Sequence, residues 1–352
     1  MTFKYMEKNM NVKKIIAGAA ILLALTTSVF AKAKKSDKAN SKLKVVTTIF
    51  PEYDWTREIL GDKASNVELT LLLGNGVDLH SYQPSIQDIA KISTADIFIY
   101  VGGESDGWVK DALKNAKNKN MKVINLLETL GDKVKAEEVK EGMQAEEEEH
   151  EHHHHDEAEE HHHHHHDDDD EEEVEYDEHV WLSLRNAKIL SAEIAAALCE
   201  KDASNAASYK ANLAAYSARL DALDAKYAAA VKAGSKKTIL FGDRFPFRYL
   251  VDDYGLDYFA AFVGCSAETE ASFETVIFLA KKVDELGLNS VLKIESGDGK
   301  IARTIVQNTK KKNATVLTLD SIQSTTAKQA AGGVTYLKLM ENNLSVLEEA
   351  LK

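Results

Sequence analysis

The chain has 352 residues, of which 44% are hydrophobic and 28% are charged, and this length suffices for two domains of ordinary size. Its formal net charge of −14 is concentrated between positions 146 and 178, where 19 acidic residues and 11 histidines occur without a lysine or arginine. Without this stretch the net charge is +5, most of which lies in the first 33 residues, so the composition does not indicate a basic face for nucleic acid.

Residues 1–33 are predicted to be a cleaved secretory signal. Lys13 and Lys14 precede an apolar run at 15–29, and Ala31 and Ala33 offer small-residue cleavage sites. The apolar run is shorter than the roughly 20 residues that a membrane-spanning helix needs, so an uncleaved anchor is the less favoured alternative. Translation could also start at Met10, because the leader is complete from there. The signal predicts a periplasmic or other extracytoplasmic location.

A polar linker at 34–41 leads into a predicted N-terminal α/β lobe at 42–204. Apolar segments rich in β-branched residues alternate here with helical patterns, which is typical of βαβ units around a parallel sheet. The predicted strands are 44–49, 67–73, 96–101 and 122–126.

Residues 134–178 are predicted to form a disordered insertion in this lobe, because they contain few apolar side chains to bury. Imidazole and carboxylate groups on a flexible chain bind several divalent ions weakly, and beside a tighter site they raise the local metal concentration. A solvated acidic linker is the alternative. The histidines of this low-affinity tract are His150, His152, His153, His154, His155, His161, His162, His163, His164, His165 and His166.

A long helix at 205–234 is predicted to join the first lobe to a C-terminal α/β lobe at 235–352. The second lobe repeats the alternation of strands and helices and ends in a closing helix at 327–351. The predicted fold class is therefore α/β, with two parallel-sheet lobes joined by one long backbone helix, and the cleft between the lobes is the expected ligand site. The predicted strands of this lobe are 238–241, 258–263, 290–294 and 315–319.

Only two histidines, His80 and His179, lie outside the tract. His80 follows a predicted strand, and His179 lies where the tract ends and the helical pattern resumes. A single histidine is usually structural, but two in such positions in a chain otherwise free of them favour a pair of metal ligands.

Four segments resemble the zinc/manganese solute-binding proteins of ABC importers, of the periplasmic high-affinity zinc-uptake type. They are Gly-Val-Asp-Leu-His-Ser-Tyr-Gln-Pro at 76–84, Ala-Asp-Ile-Phe-Ile-Tyr-Val-Gly-Gly at 95–103, Asp-Glu-His-Val-Trp-Leu-Ser at 177–183 and Leu-Thr-Leu-Asp at 317–320. The resemblance extends from about 44 to 352. It implies two lobes bridged by one helix, with His80 and His179 as first-lobe metal ligands and Asp320 as a second-lobe carboxylate ligand.

The chain departs from that family in one motif, because Gly242 stands where a third histidine is expected. Zinc prefers four ligands, which leaves one position open. Water, Asp243, Glu295, Cys265 and a tract histidine are the alternatives for it. Asp243 could instead be a helix cap or the ion-pair partner of the adjacent Arg244.

The resemblance implies a non-enzymatic, monomeric receptor that captures Zn²⁺ and delivers it to an ABC permease with its cytoplasmic ATPase. Mn²⁺ or Fe²⁺ would be favoured only if oxygen donors dominate the site. A metallohydrolase is disfavoured, since outside the histidine-rich tract the sequence contains no His-Glu-x-x-His pattern. A metal-buffering or adhesin-like surface protein, in which the tract does the binding, is the main alternative. The two cysteines, Cys199 and Cys265, do not form a disulfide framework, and whether they pair stays open.

Overall fold

A computed structural model describes residues 42–144, 175–266 and 270–352 of the chain. The predicted signal at 1–33, the linker at 34–41 and the histidines of the tract lie outside these residues. Within the described ranges, no helix has both the length and the hydropathy needed to cross a bilayer.

The first sheet has four parallel strands in the order β2-β1-β3-β4, and the four strands predicted in this half of the chain are all present. Helices cover both faces of a parallel sheet, so its central strands are apolar without alternation. Ile97, Phe98 and Ile99 of the third strand accordingly have no exposed surface. The elements are β1 Leu43–Thr47, α1 Phe50–Leu60, β2 Val67–Leu71, α2 Ile86–Ser93, β3 Ile97–Tyr100, α3 Val109–Lys114, β4 Lys122–Asn125 and α4 Leu126–Leu130.

Two long helices follow, α5 at Leu184–Lys201 and α6 at Ala206–Ala233. The α6 helix has no internal glycine or proline and stops before Gly234. Near its start, the Asn212 side chain donates to the carbonyl oxygen of Ile59 in α1 at 2.9 Å. Near its end, the Tyr227 hydroxyl donates to the carbonyl oxygen of Met340 in the C-terminal part of the chain at 2.6 Å. The predicted backbone helix therefore contacts both lobes.

The second sheet has four parallel strands in the order β6-β5-β7-β8, which repeats the topology of the first. In both sheets the loops at the carboxyl ends of the strands are the places where such folds bind ligands. The elements are β5 Thr238–Phe245, α7 Arg248–Tyr254, β6 Asp257–Val263, α8 Phe273–Leu286, β7 Ser290–Ile294, α9 Lys300–Asn308, β8 Thr315–Leu319, α10 Ala327–Ala331 and α11 Tyr336–Ala350.

The predicted closing helix at 327–351 is wrong as a single element, because α10 and α11 are separate. Gly332 and Gly333 interrupt it, and Gly333 has φ of 91°, a left-handed conformation that glycine adopts without strain. The second helix then starts anew, with the Thr335 side chain accepting a hydrogen bond from the amide of Lys338 at 3.2 Å.

The predicted disordered insertion at 134–178 is too long at both ends. The amide of Lys135 donates to the Tyr249 hydroxyl at 3.0 Å, and Ala136 forms an antiparallel bridge with Tyr176. The amide of Gln144 donates to the carbonyl oxygen of Ala261 at 2.9 Å. These backbone partners order 134–144 and 175–178, and the part of the insertion at 145–174 lies outside the described residues.

The two sheets share a continuous apolar core, which contains residues from both halves of the chain. Trp181 belongs to this core and is fully buried. Its indole nitrogen donates to the carbonyl oxygen of Ser321 at 2.9 Å, and its own carbonyl oxygen accepts from the Tyr336 hydroxyl at 2.6 Å. This packing fixes the segment after His179 against the loop that follows β8.

Candidate metal centre

The structure brings His80 and His179 together, with their Nε2 atoms 3.1 Å apart. His80 lies in a 3₁₀ turn, Leu79–Ser81, in the loop after β2. His179 immediately precedes a second 3₁₀ turn, Val180–Leu182, and is completely buried. Ninety-nine positions separate the two residues in sequence, so their meeting is a product of the tertiary fold.

Each imidazole is held through its other nitrogen. His179 Nδ1 lies 3.0 Å from Asp177 Oδ1. A carboxylate only accepts, so this nitrogen carries the proton. His80 Nδ1 lies 2.8 Å from the Ser105 hydroxyl and 3.6 Å from Glu178 Oε2. Protein metal sites commonly orient histidine ligands in this way, with an acceptor on the nitrogen that does not bind the ion.

Both histidines follow an aspartate two positions earlier, and this repeated spacing has a structural function. Asp78 accepts from the amide of His80 at 3.1 Å, and Asp177 accepts from the amide of His179 at 2.8 Å. Each aspartate thereby fixes the backbone that carries an imidazole. Sequence reasoning did not assign these aspartates a function, although the Asp-x-His spacing at both positions was the signal that could have found them.

The distance between the Nε2 atoms suits a shared cation. Two Zn–N bonds of about 2.05 Å at a tetrahedral angle separate the nitrogens by about 3.3 Å. When both Nδ1 atoms carry the proton, both Nε2 lone pairs are free to bind one cation between the rings. The geometry therefore suits a divalent ion bound through two imidazoles.

The electrostatic environment keeps His80 neutral. The pKa of His80 is lowered to about 3, chiefly by burial and then by the neighbouring His179, while Asp78 opposes the shift and the Arg244 guanidinium adds to it. A neutral imidazole is the form that binds metal, so the ring is in its ligand form at neutral pH.

Cys265 is the third member of the group. It lies in the loop after β6, and its sulfur lies within 4.8 Å of the chosen nitrogens of His80 and His179, the one such group found among the described residues. Both cysteines are free thiols. Burial raises the pKa of the Cys265 thiol, with the carboxylates of Glu137, Asp177 and Glu178 adding to the effect. Formation of the thiolate consequently requires a cation beside it.

The structure does not bring Asp320, Asp243 or Glu295 into this group. Asp320 accepts from the amide of Ile322 at 2.7 Å, and burial followed by the Glu295 carboxylate raises its pKa to about 6. Glu295 accepts from Ser321 and Ser324. These hydrogen bonds shape the loop after β8.

The carboxylate of Asp243 likewise makes its hydrogen bonds within its own lobe. It accepts from the amides of Arg244 at 3.0 Å and Ile294 at 3.2 Å. The suggested ion pair between Asp243 and Arg244 does not form. The Arg244 guanidinium instead makes a short ion pair with Asp78, in the loop that carries His80.

Position 242 has no room for a side chain. A Cβ at Gly242 would lie 2.4 Å from the Cα of Ala302 in α9. In this fold the backbone of β5 and the helix are in direct contact there, so glycine at this position serves packing. The side chain that β5 directs towards the first lobe is that of Arg244, two positions later. The tract histidines proposed as low-affinity ligands lie outside the described residues.

Comparison with known proteins gives one family across nearly the whole chain. A family model described as "ZnuA: Zinc-uptake complex component A periplasmic" matches residues 45–350. The zinc-binding lipoprotein AdcA of Streptococcus pneumoniae is 32% identical over 333 residues, which are 94% of this chain and 60% of the relative. The high-affinity zinc uptake system protein ZnuA of Bacillus subtilis is 29% identical over 337 residues, 96% of both chains.

A solved structure has the same fold. The Zn(II)-bound ZnuA-like domain of Streptococcus pneumoniae AdcA superposes with a TM-score of 0.64 at 26% identity, covering 88% of this chain and 99% of that domain. The chain spans about three fifths of the length of the pneumococcal relative that it matches. The predicted two-lobed α/β architecture is thereby confirmed.

Proposed function

Because the chain belongs to the family of zinc-uptake complex component A proteins, we propose that it is an extracytoplasmic solute-binding protein that captures Zn²⁺ for an ABC importer. The ion is cargo, delivered to a permease in the cytoplasmic membrane that is driven by a cytoplasmic ATPase. The family consists of binding components, so the role is capture and release without catalysis.

The observation that carries the proposal is the pair of Nε2 atoms 3.1 Å apart, each presented by a ring whose Nδ1 faces an oxygen. His80 and His179 are the two imidazole ligands in this proposal. Cys265, the remaining member of the group, is the third donor, and water completes the four positions that zinc prefers. Asp320, expected from the family resemblance, is left out because it lies outside the group.

The donor set also supports zinc as the cargo. Two imidazoles with a thiolate suit zinc, whereas Mn²⁺ and Mg²⁺ prefer carboxylate, carbonyl and water oxygen. Relatives named for zinc binding and zinc uptake point to the same ion. The alternative of Mn²⁺ or Fe²⁺ would require oxygen donors in place of the sulfur.

The predicted leader at 1–33 supports the extracytoplasmic location, as does the name of the pneumococcal relative, a lipoprotein. The proposal places the receptor outside the cytoplasmic membrane after cleavage of that signal. In the alternative proposal, a metal-buffering or adhesin-like surface protein, the tract at 145–174 binds the metal and the two lobes are its scaffold.

Zinc titration distinguishes the two proposals. A variant in which 145–174 is replaced by a short Gly/Ser linker is titrated in competition with a chelator of known affinity. We expect one tight site per chain, and we expect His80→Ala with His179→Ala to abolish it. Asp320→Asn is the matched control, since its carboxylate lies outside the group, and it should bind as the parent does.

Two results would count against the receptor proposal. If the shortened chain binds zinc only weakly at several sites, the tract is the binding element, and this result supports the metal-buffering alternative. If the double histidine variant keeps the tight site, the ion is held elsewhere. Zinc-limited growth of a host strain that lacks its own receptor, with and without this gene, then tests delivery to the permease.

A further inference from the structure

A cavity of about 260 Å³ adjoins the histidine group. Its wall includes His80, Ser105 and Cys265, so it opens directly onto the proposed zinc site. At about 30 Å³ per water molecule, this volume accommodates a cation with much of its hydration shell. The cavity is referred to below as the antechamber.

Carboxylates dominate the antechamber. Four glutamates line it, and no lysine or arginine is among its described lining residues. The four glutamates differ in burial. Glu104 and Glu175 are exposed, Glu137 is half-buried and Glu178 is buried. The most buried one lies beside His80. The four side chains thus form a series of negative groups that runs from the surface to the metal centre.

Glu178 gives a second, independent indication of a ligand. Its side chain is only 3% exposed, and Oε1 accepts from the amide of Ser105 at 2.9 Å. Its other oxygen, Oε2, is buried and has no hydrogen-bond partner among the described residues. A buried acceptor without a hydrogen-bond partner destabilises the fold, and more so when it is charged. A cation or its bound water in the antechamber would satisfy it.

The backbone around Glu178 is built to hold this orientation. A Cβ at Gly103 would lie 2.3 Å from Glu178 Oε1, and Gly103 has φ of 78°. A glycine in the left-handed region thus lets the loop after β3 close over the carboxylate. Glu137 is anchored as well, because its Oε1 accepts from the amide of Cys265 at 2.8 Å.

We propose that the antechamber is a second, weaker cation site, in which Glu104, Glu137 and Glu178 hold a hydrated divalent ion before it passes to His80 and His179. The inference rests on the proposed function for the ion's destination. Oxygen donors retain the water shell of an ion, whereas imidazoles and a thiolate replace it. The antechamber therefore captures the ion by charge, and the histidine group completes its dehydration.

The kinetics of zinc binding to the full chain test this proposal. The Trp181 ring lies 5.2 Å from the His179 ring, so its fluorescence reports on occupancy of the central site. Stopped-flow mixing with Zn²⁺ alone is compared for the wild type and for Glu104→Gln with Glu137→Gln. Asp111→Asn with Glu349→Gln removes two exposed carboxylates elsewhere and is the charge-matched control.

We expect the association rate to fall about tenfold in the antechamber variant at low ionic strength, because a charged cleft concentrates its counter-ion. The observed rate of the wild type should also saturate with zinc concentration, as a two-step path requires, and the variant should saturate only at higher concentration. At about 0.5 M salt the rate difference should shrink, because the Debye length is then shorter than the antechamber.

Equal rates and equal saturation in the wild type and the antechamber variant overturn the proposal, and so does equal slowing of the control. Glu104→Gln alone, at an exposed position, provides the same comparison if the double variant does not fold. The experiment distinguishes failure of the antechamber proposal from failure of the proposed zinc-receptor function. Loss of the fluorescence response in His80→Ala with His179→Ala, together with wild-type kinetics in the antechamber variant, removes the antechamber alone.

Discussion

Replacing Glu52 by glutamine should remove much of the decline in stability that the protein undergoes as the pH rises from 4.5 to 8. Glu52 lies in α1 and has no exposed surface. Burial, with a smaller contribution from the Asp106 carboxylate, raises its pKa from 4.5 to about 8. Hydrogen bonds from the amides of Thr48 at 2.8 Å and Ile49 at 3.3 Å act in the opposite direction.

The magnitude and sign follow from proton linkage. Below pH 4.5 the carboxyl of Glu52 is protonated in both the folded and the unfolded chain, so its ionisation does not change the free energy of unfolding. Between pH 4.5 and 8 the unfolded chain releases the proton and the folded chain keeps it, so the free energy of unfolding falls as the pH rises. A pKa raised from 4.5 to about 8 corresponds to about 5 kcal/mol in full, at about 1.4 kcal/mol per unit.

Guanidinium unfolding at pH 5, 6, 7 and 8, with a chelator present to keep the protein free of metal, measures this effect. The difference in unfolding free energy between the wild type and Glu52→Gln isolates Glu52, together with its interaction with Asp106, from the other buried carboxyls, which contribute equally to both. We expect this difference to move in favour of the variant by several kcal/mol across the range. Asp62→Asn, at an exposed position on the following turn, is the control and should follow the wild type. A difference that stays constant with pH would refute the reasoning.

Three further predictions concern the metal site and the connection between the lobes. Cys265→Ser should weaken zinc binding by about tenfold or more, which is 1.4 kcal/mol, while Cys199→Ser should not; equal affinities by chelator competition would remove the thiolate from the site. Asp177→Asn should weaken zinc binding about 10- to 100-fold, because the His179 ring loses the carboxylate that orients it. Calorimetric titration measures this affinity, and an unchanged value would mean that the ring is held by packing alone. Tyr227→Phe should lower the unfolding free energy by about 1 kcal/mol, because the hydrogen bond to Met340 is lost; urea denaturation with an unchanged midpoint would contradict this.

The strands and the long helix could be predicted from the sequence because local pattern decides them. All eight predicted strands are present, since each is a short apolar run flanked by turn signals. The closing helix was misjudged because helix-forming residues occupy both α10 and α11, whereas Gly332 and Gly333 interrupt the helix between them. The extent of the insertion was misjudged because its ends are ordered by partners distant in sequence, such as Tyr249 and Ala261.

The candidate site could be predicted only in part from the sequence. The two histidines could be identified because they are the only ones outside the tract. The partner of Arg244 could not be identified, because Asp78 lies 166 positions away and adjacency in sequence favoured Asp243. Cys265 stood as one alternative among several, and only the tertiary fold distinguishes it from Asp243 and Glu295.

The anchoring of the chain on either side of 145–174 has a consequence for how this protein can vary. Gln144 is bound to the strand β6, and the amide of Glu137 donates to the carbonyl oxygen of Glu175 at 2.9 Å, so the entry and exit of the segment are fixed by the fold itself. The entropic cost of joining two fixed ends rises by only about 0.6 kcal/mol for each doubling of the number of residues between them. The length of this segment and its number of histidines can therefore change at almost constant stability without any change in the buried pair.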